Sequence, residues 1–391
     1  MTKSAEVSII GGAGHIGLPL AVKFAEKEIK VNIFDTNKIN LLKIQNNKPP
    51  YKEKDLNKKL KNVLKKKRLF FSSDISSICN SKFVIICIGT PISNKLKPEL
   101  KHFFSLLKKI KKHLKKSTHV IIRSSVIPGT CEKIYHLLKA KCKNLSYCPE
   151  RIVEGHSLQE LPLIPQIISG SNKLTISENK KLFKKITKNL IICNFIEAEL
   201  AKIFSNMYRY ISFAIPNEMY LISKKLNADF TKIRELMKFK YPRNKGLAKA
   251  GFVGGPCLMK DSMQISYIFN KKNSLVNSAY NTNEKLPEAI VKNLQREKNY
   301  KLKKIGILGL TFKSDSDDIR GSLSLKLMKI LKKKGFKCFY SDPYYKLQDG
   351  LSEKKLINIS DIIIIGTNHK RYKNLKITKK KKLIDLAGYL T

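Results

Sequence analysis

The stretch "VSIIGGAGHIGLPLAVKFAEKEIKVNIFD", residues 7–35, leaves a chain few choices of fold. A short apolar run enters a glycine turn, a segment with helical spacing follows, and a second apolar run ends in Asp35. That is strand, turn, helix, strand: a βαβ unit of roughly 30 residues. Gly12, Gly14 and Gly17 spell G-x-G-x-x-G at the turn, and Asp35 lies about twenty residues beyond Gly14, the spacing of a dinucleotide fingerprint. Gly12 is expected to permit the tight turn, Gly14 to let backbone approach a pyrophosphate, and Gly17 to let helix and strand pack closely. The helix N-terminus offers N–H groups and a positive dipole end to the phosphates. Asp35 suits ribose hydroxyls and would repel a 2′-phosphate, so the expected cofactor is NAD rather than NADP.

The same grammar continues. "KFVIICIGTP" (82–91), "THVIIRSSVIPGT" (118–130), "NLSYCPERIVEG" (144–155) and "QIISG" (166–170) read as further strands entering polar loops, completing a doubly wound parallel sheet. From Glu197 apolar residues recur at helical intervals for some thirty positions. This predicts a long connecting helix, kinked or irregular at Pro216, with a helical region suited to dimerisation. Near residue 302 strand–turn–helix returns and runs to the end as a smaller Rossmann-like domain. The expected division is 1–196, 197–298 and 299–391, in an α/β architecture.

At 391 residues and 42% hydrophobic the chain can bury more than one core. It has no run of roughly 18 apolar residues, no secretory leader and no paired C-x-x-C among eight cysteines, which predicts reduced thiols in the cytoplasm and no membrane partner. The formal charge of +48 invites a nucleic-acid reading. Only nine of the 78 basic residues are arginine, however, and the lysines are spread through the chain without an aromatic-interleaved stripe or zinc pattern. They read as solvated helix faces; no nucleic-acid partner and no metal is expected.

Cys87 and Cys193 sit in apolar runs and read as small core residues, whereas Cys257 follows Gly254, Gly255 and Pro256, in a segment expected to avoid ordinary helix. Here the chain resembles the UDP-glucose/GDP-mannose dehydrogenase family, the nucleotide-sugar 6-dehydrogenases. The resemblance rests on "GGAGHIGLPLA", "CIGTP", "RSSVIPGT", "CPERIVEG", "EAELAKIFSNMYR", "GFVGGPCLMKD" and "LGLTFKSDSDDIRGS", in that order over nearly the whole chain.

The resemblance implies an NAD-binding N-terminal domain, a UDP-binding C-terminal domain, and oxidation of a primary alcohol to an acid in two NAD-linked steps. Cys257 would add to the aldehyde as a thiohemiacetal and become a thioester that water releases. Lys202 and Asn206 would donate to the developing oxyanion, and Asp261 would orient or activate water with Lys202. Glu150 and Glu154 match carboxylates near the reacting centre: Glu154 a base or nicotinamide-ribose contact, Glu150 a water organiser. His15, Ile16, Thr90, Pro91, Ser125 and Arg320 join the glycines, Asp35 and Glu154 as cofactor contacts. Arg243, Gly254, Lys313, Glu150, Lys202 and Asn206 would hold the substrate. Ser125, which the resemblance also places among the catalytic residues, stands where the family usually has threonine, keeping the hydroxyl. Pro256 replaces a usual serine or histidine and removes a side-chain donor.

For the sugar, "NMYRYISFAIPNE" resembles the N-acetylhexosamine branch and "CLMKD" the glucose and mannose branches. UDP-glucose is the leading substrate, with UDP-N-acetylglucosamine or UDP-N-acetylmannosamine as alternatives and a homodimer or higher oligomer expected. Other readings of the residues are a two-electron β-hydroxyacid-type dehydrogenase, which needs no cysteine, and a basic nucleic-acid-binding protein.

Overall fold

A computed structural model describes residues 5–252, 255–271 and 273–390. The chain divides into two compact units, Met1–Phe204 and Ser205–Thr391.

In the first unit eight strands form one sheet: β1 (Val7–Ile10), β2 (Val31–Phe34), β3 (Leu69–Ser72), β4 (Phe83–Ile86), β5 (His119–Ile122), β6 (Asn144–Tyr147), β7 (Gln166–Gly170) and β8 (Leu190–Ile192). Their order is β3-β2-β1-β4-β5-β6-β7-β8, with β1 in register between β2 and β4 (Val7 opposite Val31 and Phe83). The pleat sends alternate residues to opposite faces. Ile9, Ile85 and Ile121 therefore join a core with Leu18, Phe24 and Leu60, while Ile10, Ile86 and Ile122 join another with Phe103, Leu107 and Ile134. Burial on both faces explains why these strands read as unbroken apolar runs.

The expected all-parallel sheet has one exception, since β7 runs antiparallel to β6. Between them the only helix is the four-residue Ser157–Glu160, and a parallel neighbour needs a full crossover. The chain turns back instead, and β8 is parallel to β7 after the helix Lys173–Lys184.

The helix Phe195–Lys225 carries the chain from one unit into the other. Where the sequence suggested a kink, the helix continues through Pro216, and the Ser212 hydroxyl bonds to the Tyr208 carbonyl. In the second unit β9 (Lys304–Leu308), β10 (Lys337–Ser341), β11 (Ile362–Ile365) and β12 (Lys382–Ile384) form a wholly parallel sheet in the order β10-β9-β11-β12. The four isoleucines of β11 alternate between two cores, Ile362 and Ile364 with Leu327 and Leu331, Ile363 and Ile365 with Leu356 and Tyr372. No disulfide joins any of the eight cysteines. Among the described residues no helix is long and apolar enough to cross a membrane.

Candidate active site

The expected cofactor contacts from Gly12 to Ser125 lie in the first unit. The left-handed residue of the glycine turn is Gly11 (φ 77°), not Gly12, so the tight turn belongs to the residue before the fingerprint. Gly12 answers a packing need, because a Cβ there would lie 2.7 Å from Ile33 and 2.8 Å from the Ile9 carbonyl. A Cβ on Gly17 would meet the Gly11 carbonyl at 2.4 Å. Gly14 is open, with nothing nearer than 3.4 Å, as a surface approached by a ligand should be. Ile16 occupies the N-cap of the helix Gly17–Glu26, whose N-terminus has no side-chain cap.

Asp35 closes β2 and accepts the Ala13 N–H at 3.1 Å and the Asn37 N–H at 3.0 Å, one per oxygen. Each oxygen keeps a lone pair for a ribose hydroxyl. An uncapped helix end, an open glycine and this carboxylate together fit a dinucleotide. His15 stacks on Tyr51 with centroids 3.9 Å apart, and the Tyr51 hydroxyl donates to the Gly14 carbonyl at 2.9 Å. Thr90 is buried and its hydroxyl donates to the Ser125 carbonyl, whereas Pro91 is exposed. A lysine-lined cavity of about 810 Å³ lies elsewhere, at the N-terminal ends of β4, β5 and β6, away from this turn.

Glu150 is buried and pairs with the buried guanidinium of Arg123. Its other oxygen accepts the N–H groups of Arg151 (2.8 Å) and Ile152 (2.9 Å). Arg123 also donates to the Cys148 carbonyl (3.0 Å) and to Gln166 (2.9 Å). Glu154 is half-buried beside Gly155, whose N–H goes to the buried Glu53 at 2.8 Å. Glu53 also accepts from the Ser157 hydroxyl at 3.1 Å. Glu199 accepts the N–H groups of Gly129 (2.6 Å) and Cys131 (2.7 Å), anchoring the "VIPGT" turn to the start of the long helix. Lys202, half-buried, is on the next turn. Arg123, Glu53 and Glu199 were not singled out from sequence. The signal for Arg123 was its place at the end of the apolar run "HVII", where a guanidinium is buried only with an anion.

Cys257 lies in the second unit. Gly255 (φ 101°) is the N-cap and Pro256 the first residue of the helix Pro256–Phe269, so Cys257 sits exposed in a helical first turn. This corrects the expectation that Gly255 and Pro256 exclude helix: proline at the first position starts one, since its missing N–H would be unpaired anyway. A first turn is also where unpaired N–H groups and the peptide dipole favour negative charge, the condition a reacting sulfur needs. By contrast, burial pushes the thiols of Cys87, Cys148 and Cys338 up to about 12, as inert core cysteines require.

One turn beyond Cys257, Asp261 is wholly buried. It accepts from Asn206 at 2.6 Å and pairs with the Lys260 ammonium at 2.8 Å. Gly254 lies outside the described residues. Arg243, on the short turn Pro242–Asn244, is exposed and rests its guanidinium 5.5 Å from the Tyr241 ring centre. Arg320, also exposed, forks onto Asp318 with contacts of 2.6–3.0 Å, and Lys313 is half-buried on the same loop. That loop abuts the thiol helix, the Gly255 N–H pointing at the Gly321 carbonyl at 3.4 Å.

Three successive family models of the UDP-glucose/GDP-mannose dehydrogenase family match: the NAD binding domain at residues 5–187, the central domain at 196–285 and the UDP binding domain at 306–390. The chain is 30% identical over 378 residues to a UDP-N-acetyl-D-mannosamine dehydrogenase of Methanococcus aeolicus, covering 93% of this chain and 85% of the relative. It is 27% identical over 413 residues to a UDP-glucose 6-dehydrogenase of Rickettsia prowazekii, covering 97% and 94%. A solved UDP-N-acetylmannosamine dehydrogenase from Pyrococcus horikoshii superposes with a TM-score of 0.89 at 27% identity, covering 98% of this chain and 96% of that one. With cofactor, central and nucleotide parts matched in order, the chain belongs to the UDP-glucose/GDP-mannose dehydrogenase family and is an NAD-dependent nucleotide-sugar dehydrogenase.

Proposed function

We propose that the chain oxidises the C6 hydroxymethyl of UDP-glucose to the uronic acid through a covalent Cys257 intermediate. The observation that carries this reading is the exposed sulfur in the first turn of its helix, with the buried Asp261–Asn206 pair one turn behind. Two NAD molecules, bound in turn, would each accept one hydride, one per oxidation. The Cys257 sulfur adds to the C6 aldehyde, retains the carbon through the second oxidation as a thioester, and leaves as thiolate when water attacks the carbonyl. Lys202 and Asn206 donate to the oxygen that becomes negative, and Asp261 orients the water. Glu154 takes the proton from that water or contacts the nicotinamide ribose, and Glu150, which pairs with Arg123, organises water and contacts the substrate. Gly12, Gly14, His15, Ile16, Gly17, Asp35, Thr90, Pro91, Ser125 and Arg320 bind the cofactor. Arg243, Gly254 and Lys313 grip the diphosphate and sugar.

UDP-N-acetylmannosamine is the second reading, favoured by "NMYRYISFAIPNE" and by the relatives that carry that name. The three-part division 1–196, 197–298, 299–391 and a cytoplasmic setting belong to the same proposal. So does a homodimer: the long helix leaves Tyr208, Ile215 and Ile222 exposed in a stripe, extended by the exposed Leu226 just past its end, that a second copy would cover.

The test is NADH formed per sugar consumed, with UDP-glucose, UDP-N-acetylmannosamine, UDP-N-acetylglucosamine and GDP-mannose side by side. Two NADH per UDP-glucose, lost in Cys257→Ala, supports the reading. Two with another sugar moves the substrate, and one per sugar favours the two-electron class.

A further inference from the structure

His369 follows β11, and its imidazole is fully buried. Nδ1 accepts the backbone N–H of Asp315 at 2.9 Å, which places the ring proton on Nε2. That N–H faces the Asp342 carboxylate at 3.3 Å and the Thr311 hydroxyl at 3.4 Å. Asp342, at the end of β10, also accepts the N–H groups of Leu310 (2.7 Å) and Thr311 (3.3 Å). The rings of Tyr344 and Tyr372 stand edge-on to the imidazole, 5.0 and 5.3 Å away. Asp315 is left-handed (φ 57°), a conformation a non-glycine residue keeps only when its surroundings hold it. The Lys370 N–H (3.1 Å) and the Tyr344 hydroxyl (3.3 Å) reach its carboxylate, while His369 holds its backbone N–H.

The far side of this pinned loop touches the thiol helix. The Phe312 ring fills the space where a side chain on Gly255 would stand, 2.7 Å from an added Cβ. Gly255 N donates to the Gly321 carbonyl, and Gly255 caps the helix whose second residue is Cys257. Three links therefore join the imidazole to the sulfur: His369 to Asp315, the loop from Asp315 to Phe312 and Gly321, and that loop to Gly255. We infer that His369 is a positioning residue for Cys257, acting through the loop 311–321. Its consequence for turnover rests on the reading of Cys257 as nucleophile; its consequence for the geometry of the thiol does not. Because Lys313 and Arg320 ride on the same loop, a ligand gripping them meets a segment that already fixes the sulfur.

The test compares the full-length protein with His369→Phe, His369→Asn and Phe312→Leu. Three readouts are taken: the rate of Cys257 alkylation by iodoacetamide followed by peptide mass, kcat with the accepted sugar, and KM for NAD. His369→Phe removes both nitrogens. A misplacement of about an ångström predicts roughly a tenfold or greater fall in kcat and an alkylation rate changed about threefold or more, with KM for NAD changed only through Arg320, the one proposed cofactor contact on this loop. Asparagine can still accept the Asp315 N–H, so His369→Asn should stay within about twofold of wild type. Phe312→Leu, which leaves the imidazole cluster intact, should change alkylation in the same direction as His369→Phe. A folded His369→Phe with wild-type alkylation and kcat overturns the inference. Should that variant not fold, unchanged alkylation in Phe312→Leu overturns it instead. Retention of two NADH per sugar by Cys257→Ala would sink the nucleophile reading while leaving the alkylation result to decide the positioning.

Discussion

Asn206 donates its side-chain amide to the buried Oδ2 of Asp261 at 2.6 Å, tying the long helix to the helix that carries Cys257. A carboxylate with no exposure to water is tolerated when both oxygens are paired, and the Lys260 ammonium 2.8 Å from Oδ1 supplies the other partner. Asn206→Leu keeps the bulk and removes the donor. Leaving the oxygen unpaired should cost about 1–3 kcal/mol, or several degrees of melting temperature at roughly 2–4 °C per kcal/mol for a unit of this size. Calorimetry checks the stability, and on the proposal that the amide also donates to the oxyanion, turnover should fall with it. A melting curve that overlays the wild type would remove the pairing as a cause of the buried charge.

The Arg123–Glu150 pair makes a sharper demand, because neither side chain sees appreciable water. Breaking a buried pair from one side leaves the other charge stranded, at a cost of about 3–5 kcal/mol. Arg123→Met and Glu150→Gln should therefore both lower the urea midpoint with an unchanged denaturant slope. If Glu150→Gln slows the reaction while the midpoint stays in place, the carboxylate acts on the chemistry and its structural duty is minor.

The division between what was legible in the sequence and what was not follows locality. The βαβ unit was legible because its signals are local: an apolar run, three glycines and Asp35 within one unit. The resemblance could propose site residues because most of them sit in short contiguous motifs. Partners distant in the chain left no such trace. Nothing around Glu53 points to Gly155, and nothing around Glu199 points to Gly129. Local rules also misled where position decides the sign. By local rules proline at 256 is a breaker, yet it starts the helix, and the turn expected of Gly12 is made by Gly11. The reversal of β7 depended on the crossover helix being only four residues long, which apolar patterning does not show.

Asp35 spends one lone pair of each oxygen on the N–H groups of Ala13 and Asn37, leaving a carboxylate at the end of β2 to receive ribose hydroxyls. Asp35→Ala removes charge-assisted hydrogen bonds of about 1.5–3 kcal/mol. KM for NAD should rise roughly 10- to 100-fold on that account. The repulsion of a 2′-phosphate goes at the same time, so the NADP to NAD ratio of kcat/KM should increase. Side-by-side kinetics with the two cofactors check both, and an unchanged ratio would mean the selectivity resides elsewhere.

Glu53 gives a pH signature of opposite sign to the usual carboxylate. Burial pushes its pKa up, and the hydrogen bonds from Gly155, Ser157 and Leu158 recover only part of that. One oxygen, Oε1, is buried with no partner among the described residues. A carboxyl raised above its unfolded value, about 4.3, binds more protons in the native state, so stability is present below that value and lost as pH rises through the folded pKa. Glu53→Gln keeps an oxygen to accept the Gly155 N–H and cannot ionise. The variant should gain on the wild type as pH climbs from about 4.3, then hold a constant advantage once the wild-type carboxyl is fully charged. Melting temperatures of both proteins across pH 4 to 8 in one buffer series read this directly. A difference that stays flat, or shrinks with rising pH, would show that the strap from Glu53 to the Glu154 loop holds a carboxylate with no net penalty.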